Sequence, residues 1–232
     1  LNCFAGSGVD LGEHADLADI VAYFNGGDAA GSTPWDRESV AAVSGRTAAW
    51  AIEGNPSPVD SEIAAISPRY ALVHYGTNDM GMGSTYESAM PGFYEAYSGL
   101  VSELSNRGIV PVLATISHRG DRASADRWVS TYNAVIHGIA QREQVPLVDW
   151  WWALDALPHK GLSSDGIHVE RHPSGACIFT DEGLEHGYNV RNLLSAEVFD
   201  RAKRVVVDGV SELDPEAPGL AGNGGPNNPF VV

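Results

Sequence analysis

The feature that most constrains this chain is an alternation. Beyond about residue 38, short apolar runs are separated by longer stretches whose apolar positions recur at helical spacing. A short run that is apolar throughout suits a strand buried on both faces, and an amphipathic stretch of helix length between two such runs suits the crossover of a parallel sheet. The pattern predicts strands over residues 39–44, 70–75, 109–116 and 146–148. It predicts helices over residues 13–24, 47–52, 61–66, 92–107 and 123–142, and a last one over 190–204 capped by Asn189. The class is therefore α/β. Residues 1–213 read as one domain, since 232 residues suffice for a sizeable single core. Residues 214–232, rich in Gly, Pro and Asn, read as a flexible tail or linker.

Charge narrows the partners. The formal net charge of −16 repels a phosphate backbone, so nucleic acid is not expected. No apolar run reaches the roughly 18 residues that a membrane-spanning helix needs. Cys3 and Cys177 are the two cysteines; one long-range disulfide and two buried thiols both remain open. The first residues lack the basic and apolar regions of a signal peptide. The cysteines and the tail composition fit a secreted protein better than a cytosolic one.

Three segments carry chemistry. His74-Tyr75-Gly76-Thr77-Asn78-Asp79 leaves an apolar run and turns at a glycine. That places Asn78 at the C-terminal edge of a parallel sheet, where ligands bind and an amide donor can stabilise an oxyanion. In Ser163-Ser164-Asp165-Gly166-Ile167-His168 the three-residue spacing lets Asp165 accept a hydrogen bond from one imidazole nitrogen of His168, leaving the other as a general base. In Val43-Ser44-Gly45-Arg46-Thr47 a backbone N–H at Gly45 can approach a ligand with no side chain between them. Each alone has a plain reading: an Asx-stabilised turn, a loop Asp and His, and a strand-to-helix turn. His168 and His172 are four apart, a zinc-binding spacing on a helix. However, Glu170 is two residues beyond His168 and Pro173 follows His172, so a metal site is not expected. His14, His74, His118, His137, His159 and His186 read as structural or surface residues, with His118 placed to line a cleft. Trp150, Trp151 and Trp152 cannot all face one way; one or two belong in the core and one at a pocket rim.

Taken together and in this order, the three segments resemble the SGNH, or GDSL, hydrolase family, whose blocks run serine, glycine, asparagine and Asp-x-x-His. The resemblance covers most of residues 40–204. It implies a three-layer α/β/α sandwich with a mostly parallel, flavodoxin-like sheet, and hydrolysis of carboxylic esters through an acyl-serine intermediate without metal or organic cofactor. It also implies Gly45 and Asn78 as oxyanion donors, His168 as base and Asp165 as the residue that orients it. The substrate would be a small-molecule, lipid or carbohydrate ester. One block departs, because the Gly-Asp-Ser that follows the family's first strand is not found in the sequence. Ser7, in Ala5-Gly6-Ser7-Gly8, is the nearby substitute. The more economical expectation is that Leu1 follows a nucleophile block lying upstream and that the first strand is missing. In the implied 2-1-3-4-5 order two strand edges would then be exposed and the chain would be inactive. A ligand-binding module that keeps the scaffold without its nucleophile is the alternative.

Overall fold

The computed structural model describes residues 1–211; the tail expected from residue 214 lies outside them. Three strands form the sheet: β1 (Tyr70–Val73), β2 (Val110–Ala114) and β3 (Leu147–Val148). The described residues form seven α-helices: α1 (Ala18–Asn25), α2 (Ala48–Ile52), α3 (Pro58–Ile66), α4 (Tyr86–Asn106), α5 (Ala123–Glu143), α6 (Trp150–Asp155) and α7 (Gly187–Val206). The strands are parallel, in the order β1-β2-β3. The crossover from β1 to β2 is α4 and that from β2 to β3 is α5.

The side-chain alternation of β2 makes the layers. Val112 and Ala114 join one core with Phe4, Trp35, Trp150 and α7 residues such as Ala196 and Phe199. Leu113, between them, joins the other with Phe93, Tyr97 and Leu100 of α4 and Val129 and Ile136 of α5. Successive strand residues point to opposite faces, so helices cover both sides and the sandwich has three layers.

Helix starts follow their caps. Ser57 and Asp60 form a capping box and Pro58 occupies the first turn of α3, so the helix begins before the predicted residue 61. Thr85 and Ser88 do the same for α4, which runs through Pro91 although the sequence pattern starts it at residue 92. The proline removes one ladder bond near the N-terminus. The buried stripe of Phe93, Tyr97, Leu100 and Leu104 outweighs that loss. Asn189 is not a cap. It lies inside α7, where its amide donates to the carbonyls of Gly175 and Ile178 (3.0 Å each) and its oxygen accepts from the His172 N–H at 3.3 Å.

The predicted strand over residues 39–44 is a turn instead. A strand needs a neighbour, and among the described residues β1 pairs with β2 alone. The Val40 N–H donates to the Glu62 carboxylate at 3.0 Å, and the Ala41 carbonyl accepts from the Tyr75 hydroxyl. Val40 and Val43, which a sheet would bury, remain 47% and 45% exposed. Cys3 and Cys177 are joined in a disulfide, with Cα atoms 5.7 Å apart.

Candidate active site

Both halves of the site sit on loops that follow the sheet. In the first half, β1 ends at Val73 and the chain turns into a short 3₁₀ helix, Asp79–Gly81, with Asn78 as its N-cap residue. The Asn78 amide nitrogen donates to the Arg46 carbonyl at 3.0 Å. One of its two N–H groups is used there and the second is left for a ligand. Gly45 adopts φ +78° in open space, the left-handed region that glycine enters at no steric cost. Among the described residues its N–H has no acceptor.

Asp79 joins these two segments, and the sequence patterns did not single it out. Its carboxylate is buried and accepts from the Ala48 N–H at 2.9 Å and the Gly76 N–H at 3.0 Å. Burial pushes its carboxyl above the ordinary value, against the backbone donors that hold it down. The clamp fixes the start of α2, and with it the Gly45–Arg46 turn, beside the loop that carries Asn78.

In the second half, the Nδ1 of His168 lies 2.7 Å from Asp165 Oδ2. Asp165 Oδ1 accepts from the Ser163 hydroxyl and from the N–H groups of Ile167 and His168, all within 2.9 Å. The hydrogen bond from His168 comes first among the contacts that hold the Asp165 carboxyl well below the usual carboxylate range, followed by the two backbone donors. In the neutral imidazole, an aspartate so fixed selects the tautomer with Nδ1–H and leaves the Nε2 lone pair as the acceptor a general base needs. The other ring nitrogen of His168 has no partner among the described residues, and the side chain is 71% exposed.

The loop after β2 packs against the Asp165–His168 turn. Gly166 has φ +70° and lies so close to Gly120 and Asp121 that a Cβ would fall 2.5 Å from the Asp121 nitrogen. The Asp121 N–H donates to the Gly166 carbonyl at 3.1 Å. The next residue, Arg122, lines a cleft of about 460 Å³ together with Met80, Gly81, Tyr86 and Trp128. That cleft adjoins the 3₁₀ helix after Asn78 and, at Arg122, the loop that contacts Gly166; none of Gly45, Asn78, Asp165 and His168 is among its lining residues. Gly45 and Asn78 are thus brought together through Arg46, and Asp165 and His168 through their hydrogen bond. No hydrogen bond among the described residues joins the pairs to each other, or Ser7 to His168.

Other expected lining residues sit elsewhere. His118 is 3% exposed, enclosed by Asp126 (3.2 Å), Asp155 (3.3 Å) and the Trp151 ring; it does not line the cleft. Trp150 is buried, Trp151 packs against the core and Trp152 is 69% exposed, the split that three consecutive rings require. The segment from His168 to His172 is not helical, with Val169 and His172 in isolated bridges. The two imidazoles therefore do not share a helix face.

The GDSL-like lipase/acylhydrolase family model matches residues 8–176. No curated protein matches the sequence. A catalytic mutant of an acetylxylan esterase from Geobacillus stearothermophilus is similar in structure, with TM-score 0.53, 16% identity and 80% of each chain covered. So is a GDSL-like lipase from Bacteroides thetaiotaomicron VPI-5482, with TM-score 0.50, 16% identity, and 68% of this chain and 73% of that one covered. At such identities the two structures bear on the fold alone.

Proposed function

Since the chain belongs to the GDSL-like lipase/acylhydrolase family, we propose that it hydrolyses carboxylic esters by a serine acyl-enzyme mechanism. The observation that carries the reading is the exposed Asp165–His168 pair at 2.7 Å. His168 takes the proton from a serine hydroxyl as that oxygen attacks the ester carbonyl. The second N–H of Asn78 and the N–H of Gly45 donate to the oxyanion that develops. The tetrahedral intermediate collapses, His168 protonates the leaving alcohol, and water then releases the acid by the same route. The cleft lined by Tyr86, Arg122 and Trp128 receives part of the ester, of small-molecule, lipid or carbohydrate type. The disulfide supports a secreted protein, because such bonds persist in oxidising compartments.

Labelling with a fluorophosphonate probe, run beside turnover of 4-nitrophenyl acetate, tests the mechanism. One serine labelled stoichiometrically, with labelling and turnover both lost in His168→Ala, supports it, and peptide mapping identifies the nucleophile, Ser7 or another. The second reading, a ligand-binding module, draws on the lack of any serine hydroxyl bonded to His168 among the described residues. It is favoured by no label and no turnover in a folded protein.

A further inference from the structure

Three polar nitrogens around one indole ring have no hydrogen-bond partner among the described residues. Trp150 is 1% exposed, and its Nε1, the Nε2 of His74 and the Nε of Arg191 are all out of reach of solvent and without partners. The His74 ring stands edge-on to the indole with centroids 4.8 Å apart. The Arg191 guanidinium lies 4.1 Å from the Trp150 centroid and 5.3 Å from that of Tyr188. Ring faces compensate part of the buried charge, but they do not accept the in-plane N–H bonds of a guanidinium. Native structures satisfy nearly all such groups, so a cluster of unfilled donors calls for a ligand.

The chemistry of that ligand follows from the donors. Burial pushes the Arg191 guanidinium down to about 10, so it stays charged at neutral pH. Burial, with Arg191 second, pushes His74 down to about 3, so it stays neutral. The site thus offers the Arg191 guanidinium charge and several N–H groups, and no carboxylate is ion-paired with Arg191 among the described residues, in a chain with thirty acidic residues. A bridging water would need acceptors for its own protons, and the three orphaned atoms supply none if His74 Nε2 is the protonated nitrogen. A carboxylate only accepts, carries one negative charge and matches the guanidinium fork. His74 follows β1 directly, Trp150 begins α6 after β3, and Arg191 is on α7. The cluster therefore lies at the same end of the sheet as Asn78, on the α7 face.

We propose that Arg191, His74 and Trp150 form a carboxylate-binding site separate from the ester site, with Arg191 as its ionic anchor. The carboxylate is either a free acid or an aspartate or glutamate side chain of a peptide. Thermal melts of the 232-residue chain in sodium acetate and in sodium chloride of equal ionic strength test this, repeated with N-acetyl-aspartate N-methylamide. The expected result is a saturable rise in Tm with the carboxylate that is absent in Arg191→Leu. Isothermal titration should show affinity at least fivefold weaker in His74→Phe, which keeps an edge contact with the indole and removes the donor. Saturation by the aspartate amide at tenfold lower concentration than acetate marks a peptide-borne carboxylate; equal or weaker potency marks a free acid. Either supports the site. Equal Tm in acetate and chloride, or a rise that survives in Arg191→Leu, overturns it. If Arg191→Leu fails to fold, unchanged affinity in His74→Phe overturns it instead.

Discussion

Among the described residues three histidines face aspartates, and exposure separates them. His118 contacts Asp126 at 3.2 Å and His137 contacts Asp149 at 3.0 Å, but the His118 side chain is 4% exposed and Asp149 is held by Thr115 and the Trp152 N–H. Only the Asp165–His168 pair of these three is open on both members, with Asp165 49% exposed. His168→Ala should lower kcat on an ester by several powers of ten, and Asp165→Asn, which permits the wrong tautomer, by up to about 10⁴. Near-full turnover in either variant removes the pair from the chemistry. This pair was legible because both partners lie within one turn of sequence; His118 and His137 meet carboxylates 8 and 12 residues away, contacts that only helix α5 and its packing create. A different residue contributes to the response to pH. Burial, with Asp16 second, pushes the Glu197 carboxyl from 4.5 up to about 7, against Arg201. The folded state then binds this proton more tightly than the unfolded one. Its contribution is fully present below about pH 4.5 and is lost as pH rises through 7, on the order of 3 kcal/mol in all. His74, held neutral by burial, works in the opposite direction up to about pH 6.5, so the comparison isolates Glu197: relative to Glu197→Gln, the wild-type protein should lose Tm between pH 5 and 8.

Among the elements, α2 is short and draws its position from outside itself. Thr47 caps it, its side chain accepting from the Trp50 N–H at 3.3 Å, and Asp79 holds its first N–H. Asp79→Ala leaves two backbone donors without an acceptor, which should cost about 2–6 kcal/mol at roughly 1–3 per buried group. It should also release the Gly45–Arg46 turn. Asn78→Ala removes only a donor and should lower kcat about 10²–10³-fold with little change in KM and little loss of stability. Urea unfolding and steady-state kinetics on both variants separate clamp from donor. Equal stability losses would deny Asp79 its positioning role. The sequence pattern located β1, β2 and β3 to within a few residues because each run is apolar and bounded by turn residues. It failed over residues 39–44 for a cooperative reason: strand propensity is expressed only against a partner strand, and β1 has no second neighbour among the described residues.

At the scale of the whole molecule, the core on the α7 face is assembled from the two ends of the described chain. Phe4, Leu17, Ile20 and Trp35 pack with Leu193, Val198 and Phe199. Phe179 donates its N–H to the Asp10 carbonyl at 2.7 Å, and Asp10 donates to the Cys177 carbonyl at 2.9 Å. None of these contacts is legible from local pattern, since their partners are more than a hundred residues apart. The Cys3–Cys177 bond closes this arrangement across a sequence separation of 174, and Asn192 of α7 donates both to Cys3 Sγ (3.2 Å) and to the Ala176 carbonyl (2.9 Å). Closing so long a loop restricts the unfolded chain by up to about 5 kcal/mol in the chain-entropy treatment. At roughly 2–4 °C per kcal/mol for a protein of this size, reduction should lower Tm by about 10–20 °C. Calorimetry with and without dithiothreitol measures that fall, and a Cys3→Ser/Cys177→Ser variant should melt at the reduced value in both buffers. The Asp165–His168 turn is anchored separately, by the Gly166–Asp121 contact and by the pairing of Ser163 with His168. The reduced protein below its melting range should therefore keep the dyad geometry and the turnover that depends on it. Turnover that disappears on reduction while the fold persists would show instead that the N-terminal segment reaches the reacting centre.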